Sequence, residues 1–121
     1  MEIRAKSNIV DERGERFMGP GVLRLLEGIK EYKSINRAAE EMSLSYVKAL
    51  NMLNRLEADR GRQILVRKRG GNQRGGSELT PFGEKFISEY SRLERRARTH
   101  IAKEFEIFQK RVAEADSDAS R

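Results

Sequence analysis

The chain contains no cysteine and no tryptophan, and only one histidine and two prolines among its 121 residues. Without cysteine it can form neither a disulfide nor a thiolate zinc site, and it has no cysteine nucleophile. A single histidine likewise excludes a histidine-rich metal site. No segment approaches the roughly 18 consecutive apolar residues that a membrane-spanning helix needs, and the N-terminus lacks the apolar stretch of a secretory signal. We therefore expect a cytoplasmic protein with no membrane partner and no cofactor.

Basic residues outnumber acidic ones, 25 to 19, which gives a net charge of +6. Hydrophobic residues make up 37% of the chain and charged residues 36%, so one compact domain with a small core is expected. The positive surplus lies between Arg60 and Arg74, where six basic residues occur without an intervening acid. Such a cluster occurs on ordinary surfaces as well as at nucleic-acid sites, so its interpretation depends on the segments around it.

The N-terminal segment, residues 1–19, has the pattern of a β-hairpin. Ile3, Ala5 and Ile9 stand at alternate positions, residues 11–14 have turn composition, and residues 15–18 can form a returning strand.

Three helices are predicted next. Apolar residues recur at the helical period from Val22 to Tyr32, up to a polar stop at Lys33. Ser34 and Ser45 are the expected N-caps of a short second helix, ending at Met42, and of a third helix ending near Arg60. In the third helix one set of residues falls on the inner side of the helical wheel: Tyr46, Ala49, Leu50, Leu53 and Leu56. The opposite face of this helix is polar and basic, and about three residues separate the helix from the second one. This arrangement is typical of a helix-turn-helix.

Residues 64–79 predict a wing, a strand–loop–strand unit that follows the third helix. An apolar strand, Ile64–Val66, leads into a glycine-rich basic loop, and residues 77–79 return before Thr80, which caps another helix with Pro81 at its first position. A nucleotide-phosphate loop is the rival interpretation, but neither the Walker spacing nor GxGxxG is present. The predicted fold is mainly α with small β: a winged helix-turn-helix over residues 1–80.

A long C-terminal helix is predicted over residues 81–112, followed by a disordered tail at 113–121. Its apolar positions alternate at steps of four and three, which predicts a stripe roughly 45 Å long at about 1.5 Å per residue. A domain of this size cannot cover such a stripe, so we expect a homodimer; packing entirely within the monomer is the alternative. The predicted dimerisation residues are Phe86, Tyr90, Leu93, Ala97, Ile101, Phe105 and Phe108.

Four short motifs resemble a known family. They are Ser-Ile-x-x-Ala-Ala in the second helix, Met-Ser-x-Ser-Tyr in the turn, Arg-x-x-Gly-Gly in the wing and Leu-Thr-x-x-Gly before the last helix. Together they resemble the N-terminal DNA-binding domain of the molybdate-responsive ModE regulators, and more distantly the winged helix of LysR-type regulators, over about Glu2 to Phe108. The resemblance implies a dimer that binds an operator with two symmetrical winged-helix units.

Two departures from that family are visible. Full-length members carry a downstream molybdate-binding module, whereas this chain ends at Arg121, so we expect no such module and name a separate sensor protein as a candidate partner. Many relatives have tryptophan in the third helix where Leu50 stands here, which affects packing more than function.

Double-stranded DNA is the expected partner, and each candidate contact has a chemical reason. Asparagine can bond adenine through two atoms, lysine and arginine reach guanine N7 and O6, and an apolar side chain can touch a thymine methyl. Hydroxyl groups at the start of the third helix suit a phosphate. The candidates in the third helix and its turn are Ser43, Ser45, Val47, Lys48, Asn51 and Arg55; those in the wing are Arg67, Lys68, Arg69, Asn72 and Arg74.

The leading hypothesis is a sequence-specific, dimeric transcription regulator. Two alternatives use the same fold: a non-specific architectural DNA-binding protein, and a winged-helix module for protein interaction. An enzyme is not expected, because the sequence offers no nucleophile with a plausible base and no spaced carboxylate pair. The lone His100 is expected on a surface or at the dimer interface.

Overall fold

The computed structural model describes residues 1–67 and 76–119. Within these ranges it contains two pairs of short strands and four helices. They are β1 (Ile9–Val10), β2 (Arg16–Met18), α1 (Pro20–Tyr32), α2 (Ile35–Glu41), α3 (Tyr46–Arg60), β3 (Leu65–Arg67), β4 (Ser77–Leu79) and α4 (Pro81–Ala119). β1 pairs with β2, and β3 with β4, both antiparallel. This arrangement confirms the predicted mainly helical winged helix-turn-helix with an N-terminal hairpin and a long C-terminal helix.

The N-terminal hairpin is much shorter than its sequence pattern predicts. Residues 1–8 have no regular secondary structure, and the register of β1 shifts between Ile9 and Val10. Ile3 and Ala5 are exposed, so the alternation of apolar residues does not bury one face of a strand. Without a buried face, pairing of these residues gains little hydrophobic stabilisation.

Local capping sets the ends of α1, α2 and α3. Pro20 occupies the start of α1, where its missing N–H costs nothing. Lys33 ends that helix in the left-handed region, at φ 55°. The hydroxyl oxygens of Ser34 and Ser45 accept hydrogen bonds from the Arg37 and Lys48 backbone N–H groups, each at 3.1 Å, which confirms both predicted N-caps.

Small residues allow α1 and α2 to pack closely. A Cβ added at Gly28 would lie 3.0 Å from the Cβ of Ala38, so the helices approach without side chains between them. Behind this contact lies a single hydrophobic core whose fully buried large side chains come from β2, α1, α3 and the residue before β3. They are Met18, Leu25, Leu26, Ile29, Leu53, Leu56 and Ile64.

The backbone of Ile64 joins α3, the wing and α4. Its N–H donates to the Glu57 carboxylate at 2.7 Å, and its carbonyl oxygen accepts from the Thr80 N–H at 2.9 Å. The Thr80 hydroxyl donates to the Gln63 carbonyl at 2.7 Å and accepts from the Gly83 N–H at 2.9 Å. Any Cβ at Gly83 would overlap the Ile64 carbonyl oxygen. The Leu-Thr-x-x-Gly motif therefore fixes where α4 leaves the wing.

A Gly83→Ala substitution should destabilise the fold by about 1–3 kcal/mol, because its methyl group forces Ile64 and α4 apart. Gly21→Ala is the matched control. It lies in α1, has no atom within 4 Å of its added Cβ, and should stabilise the helix by about 0.5–1 kcal/mol. Urea unfolding of both variants measures the difference; equal effects of the two substitutions would contradict the role of Gly83.

Helix α4 differs from the sequence prediction at both ends of its stripe. It continues through Ala119, so residues 113–119 are helical and not the disordered tail expected.

Phe86 is half-buried against the chain's own core, and Tyr90 is only 3% exposed. The Tyr90 hydroxyl donates to the Ser7 carbonyl at 2.6 Å, and burial beside Glu94 raises its pKa. Assigning Tyr90 to a dimer surface was wrong, because it anchors the N-terminal segment of its own chain.

Candidate nucleic-acid interface

The outer face of α3 is polar and exposed. The buried residues of this helix, Ala49, Leu53 and Leu56, lie on the side of the core. Met52, at the edge of the outer face, is half-buried and packs against the core. The candidates that the structure leaves exposed here are Ser43, Ser45, Val47, Lys48 and Asn51. They follow one another from the turn through the first two turns of α3, where a helix in a DNA groove makes its base contacts.

The turn between α2 and α3 is held by backbone hydrogen bonds. The N–H groups of Met42 and Leu44 both donate to the Ala39 carbonyl, at 3.0 and 2.9 Å. Ser43 takes a left-handed conformation, at φ 55°, which sharpens the turn. Leu44 packs against the core. The start of α3 is therefore held in place, and the exposed hydroxyl of Ser45 can still donate while its oxygen caps the helix.

Arg55 lies elsewhere than the sequence suggested. Its guanidinium contacts the Glu15 carboxylate at 2.5 Å, so its side chain turns toward the N-terminal hairpin. Both side chains are about half-exposed, at 46% and 60%. An ion pair with this exposure contributes at most about 1 kcal/mol, so it directs Arg55 more than it stabilises the fold.

Asp11 orders the hairpin turn that presents Glu15. Its Oδ1 accepts from the Arg13 and Glu15 N–H groups, at 2.8 and 3.0 Å, and its own N–H donates to the Glu15 carbonyl at 2.8 Å. The backbone N–H of Glu15, with smaller effects of Arg13 and Arg55, lowers the pKa of Asp11 below its ordinary value. The carboxylate form is thus favoured by the folded turn.

The lowered pKa of Asp11 predicts a pH-dependent contribution to stability. The ionised form stabilises the hairpin above pH 3.8, the ordinary value, and this contribution is lost as the pH falls through the lower folded value. The difference in unfolding free energy between the native chain and Asp11→Asn should therefore shrink from pH 7 to pH 2. Urea unfolding at several pH values measures it, with Glu12→Gln as the control for loss of a negative charge. A difference that stays constant with pH would contradict this account.

The base of the wing is attached to the helix-turn-helix. The Ser77 N–H donates to the Lys33 carbonyl at 2.9 Å, which joins β4 to the end of α1. Arg67, the last residue of β3, is exposed. The other wing candidates, Lys68, Arg69, Asn72 and Arg74, lie outside the described residues.

Two cations of the basic cluster pack against the chain's own aromatic rings. The Arg60 guanidinium lies 5.2 Å from the centre of the Phe17 ring, and that of Arg62 lies 4.2 Å from the Phe82 ring. Arg60 also pairs with Asp59 at 2.5 Å. These contacts orient both arginines along the surface, where both stay exposed, as is Arg67.

Sequence reasoning missed two residues of α3. Tyr46 was placed on the inner side but is 41% exposed, because the core does not reach the first turn of the helix. Asn54 is exposed and lies beside the wing. Its spacing of three residues from Asn51 is the signal that could have found it, since residues three apart share a helix face.

Two absences concern residues 1–67 and 76–119. No three acidic or histidine side chains there lie close enough together to hold a metal ion. None of the helices in these ranges combines the length and apolar character needed to cross a membrane.

An exposed polar helix after a tight turn, followed by a β-wing, defines the winged-helix class of DNA-binding domains. Within that class, residues 21–84 of this chain match the family described as bacterial regulatory helix-turn-helix protein, lysR family. This chain belongs to that family.

Two of three similar curated proteins carry ModE names. The chain is 39% identical over 72 residues to the molybdenum transport protein ModE of Azotobacter vinelandii, covering 60% of this chain and 27% of that protein. It is 37% identical over 79 residues to the transcriptional regulator ModE of Haemophilus influenzae, covering 65% and 31%. The molybdenum-pterin-binding protein MopB of Rhodobacter capsulatus is 34% identical over 91 residues, covering 75% and 34%. The chain therefore spans about a third or less of each relative.

Solved structures share the fold. A BenM DBD/benA site 1 DNA complex superposes with a TM-score of 0.54 at 22% identity, covering 74% of this chain and 96% of that one. A CbnR DBD–DNA complex gives 0.52 at 27% identity, covering 66% and 87%. Both of these structures are complexes with DNA, but the first, at 22% identity, is evidence of the fold alone.

Proposed function

We propose that this chain is the DNA-binding part of a dimeric, sequence-specific transcription regulator related to ModE. The observation that carries the proposal is the exposed face of α3, whose varied side chains follow a rigid turn in a lysR-family helix-turn-helix. Binding to the DNA backbone alone needs only cations, whereas this face also offers an amide, a hydroxyl and an apolar group.

Each side chain has a proposed role at the DNA. Asn51 bonds adenine, Lys48 reaches the acceptors of guanine, and Val47, which is 65% exposed, contacts a thymine methyl. Ser43 and Ser45 donate to a phosphate at the positive end of α3. The basic wing residues Arg67, Lys68, Arg69 and Arg74, with Asn72, add contacts to the phosphate backbone.

Selection of bound duplexes from a randomised library at about 150 mM salt should recover a palindrome, because non-specific phosphate contacts are weakened there. Its half-sites should lie about one helical turn, or a small multiple, apart. Asn51→Ala should then cost roughly 1–3 kcal/mol at one base pair of the half-site, measured by anisotropy with single-base variants of the selected duplex. Asn36→Ala, an exposed asparagine of α2, is the matched control.

Other outcomes of this selection favour the alternative functions. Binding at low salt without enrichment would support an architectural protein. No binding at any salt would support a protein-interaction module. Reversing the charges of Lys68 and Arg69 separates these cases, because it abolishes DNA binding but leaves assembly intact.

The second half of α4 supports the proposed homodimer. Beyond Tyr90 the stripe leaves large apolar side chains exposed: Leu93 at 51%, Phe108 at 53% and Val112 at 45%. Ile101 and Phe105 are half-buried. Apolar surface along one face of a single long helix is typical of an interface between copies. Phe86 lies at the edge of this proposed interface.

Phe108→Asp should shift the chain from dimer to monomer, because it places a charge in the middle of the proposed interface. Sedimentation equilibrium over a range of concentrations measures the change. Val47→Asp adds the same charge at an exposed apolar position of α3 and should leave the dimer intact. A native chain that sediments as a monomer at every concentration would contradict the proposal.

We also propose a cytoplasmic location, a separate sensor protein as a partner, and no catalytic activity.

A further inference from the structure

We propose that Asn54, Gln63 and Arg67 bind one backbone phosphate of duplex DNA in the groove between α3 and β3, and that Arg55 serves the N-terminal hairpin instead. This inference rests on the proposed DNA binding and adds a site to it. In this proposal the third turn of α3 binds the DNA backbone, whereas the sequence suggested that it reads a base.

The groove is formed where the wing leaves α3. It has a volume of about 410 Å³. Its lining comes from the middle of α3 and from the strand that follows: Leu50, Leu53, Asn54, Glu57, Gln63, Leu65, Val66 and Arg67. The lining combines apolar side chains with two amides and one guanidinium. A groove of this volume can hold a phosphate group.

Helical geometry separates Asn54 from Arg55. Successive residues of an α-helix diverge by roughly 100°. Asn54 therefore falls on the same face as Asn51 but leans toward the wing, where it lines the groove. Arg55 leans the opposite way and contacts Glu15. The two neighbours thus serve different parts of the fold.

The donors in the groove are unpaired. Within residues 1–67 and 76–119, the side chains of Asn54, Gln63 and Arg67 make no hydrogen bond or ion pair. Two amide NH₂ groups and one guanidinium thus line the same groove, and an anion with several acceptor oxygens can satisfy all three.

Glu57 is the one carboxylate of the groove. Its Oε2 accepts from the backbone N–H groups of Ile64 and Leu65, at 2.7 and 3.2 Å. These two donors offset part of its negative charge, and the same bonds hold β3 against α3. Glu57 therefore sets the width of the groove, while Asn54, Gln63 and Arg67 face the ligand.

The position of the groove favours duplex DNA as the source of the phosphate. In the proposed complex α3 lies in the major groove, which is bounded on each side by a phosphate backbone. A wing that reaches across that boundary leaves one backbone strand between itself and α3. The groove lies at that place.

The test uses the full chain and the selected duplex, synthesised with a single neutral methylphosphonate at each backbone position in turn. For the native chain, one position per half-site should weaken binding through loss of the phosphate charge. Asn54→Ala should weaken binding to the unmodified duplex about three- to tenfold. The methylphosphonate at that position should then cause no further loss of affinity in this variant. Arg67→Ala should respond in the same way and lower the salt slope by about one unit.

Two controls accompany these variants. Arg55→Ala, at the neighbouring position, should keep the full response to the same methylphosphonate. Arg24→Ala removes an exposed charge from α1 and should do likewise. Circular dichroism confirms that each variant is folded.

The results separate this inference from the proposed function. If the native chain binds no duplex, both fail. If it binds, and Asn54→Ala keeps native affinity or the native methylphosphonate pattern, only the phosphate site is overturned. A change of preference at one base pair in Asn54→Ala would also overturn it, because Asn54 would then read a base.

Discussion

The rest of the structure depends on the close contact between Gly83 and the Ile64 carbonyl oxygen. That carbonyl accepts from Thr80, and the Ile64 N–H is bound by Glu57 of α3. Three elements therefore meet at one residue, Ile64: the helix proposed to read DNA, the strand that begins the wing, and the helix proposed to join two copies. A change in any of them is transmitted to the other two through hydrogen bonds, not through a flexible connection.

Electrostatics divides the surface of α3 into two sides. On one side, the hairpin turn ordered by Asp11 places Glu15 against Arg55. On the other, the wing approaches Asn54, whose amide has no partner among the described residues. The front face between them carries Val47, Lys48 and Asn51. A helix with a uniform basic face would bind any duplex, whereas in the proposed complex this division gives each turn of α3 a different task.

Most of the fold could be predicted because its signals are local. Ser34 and Ser45 cap helices that begin one residue later, and the buried face of α3 follows from the helical period. What could not be predicted depends on distant contacts. Arg55 and Glu15 are 40 residues apart in sequence, and Tyr90 bonds Ser7 across 83 residues. The alternation at Ile3 and Ala5 misled because no neighbouring element covers that segment. The exposure of the first two turns of α3 could be predicted from the helical period, whereas the position of Asn54 beside the wing could not, because it depends on where β3 packs.

Helix α4 has a mechanical consequence for the proposed dimer. Its 39 residues correspond to roughly 58 Å at about 1.5 Å per residue. For a rod of that length, a tilt of only about 5° at its first turn displaces the far end by roughly 5 Å. In the proposed dimer the missing side chain of Gly83 would therefore act as an angular reference, and the separation of two operator half-sites would depend in part on one absent methyl group.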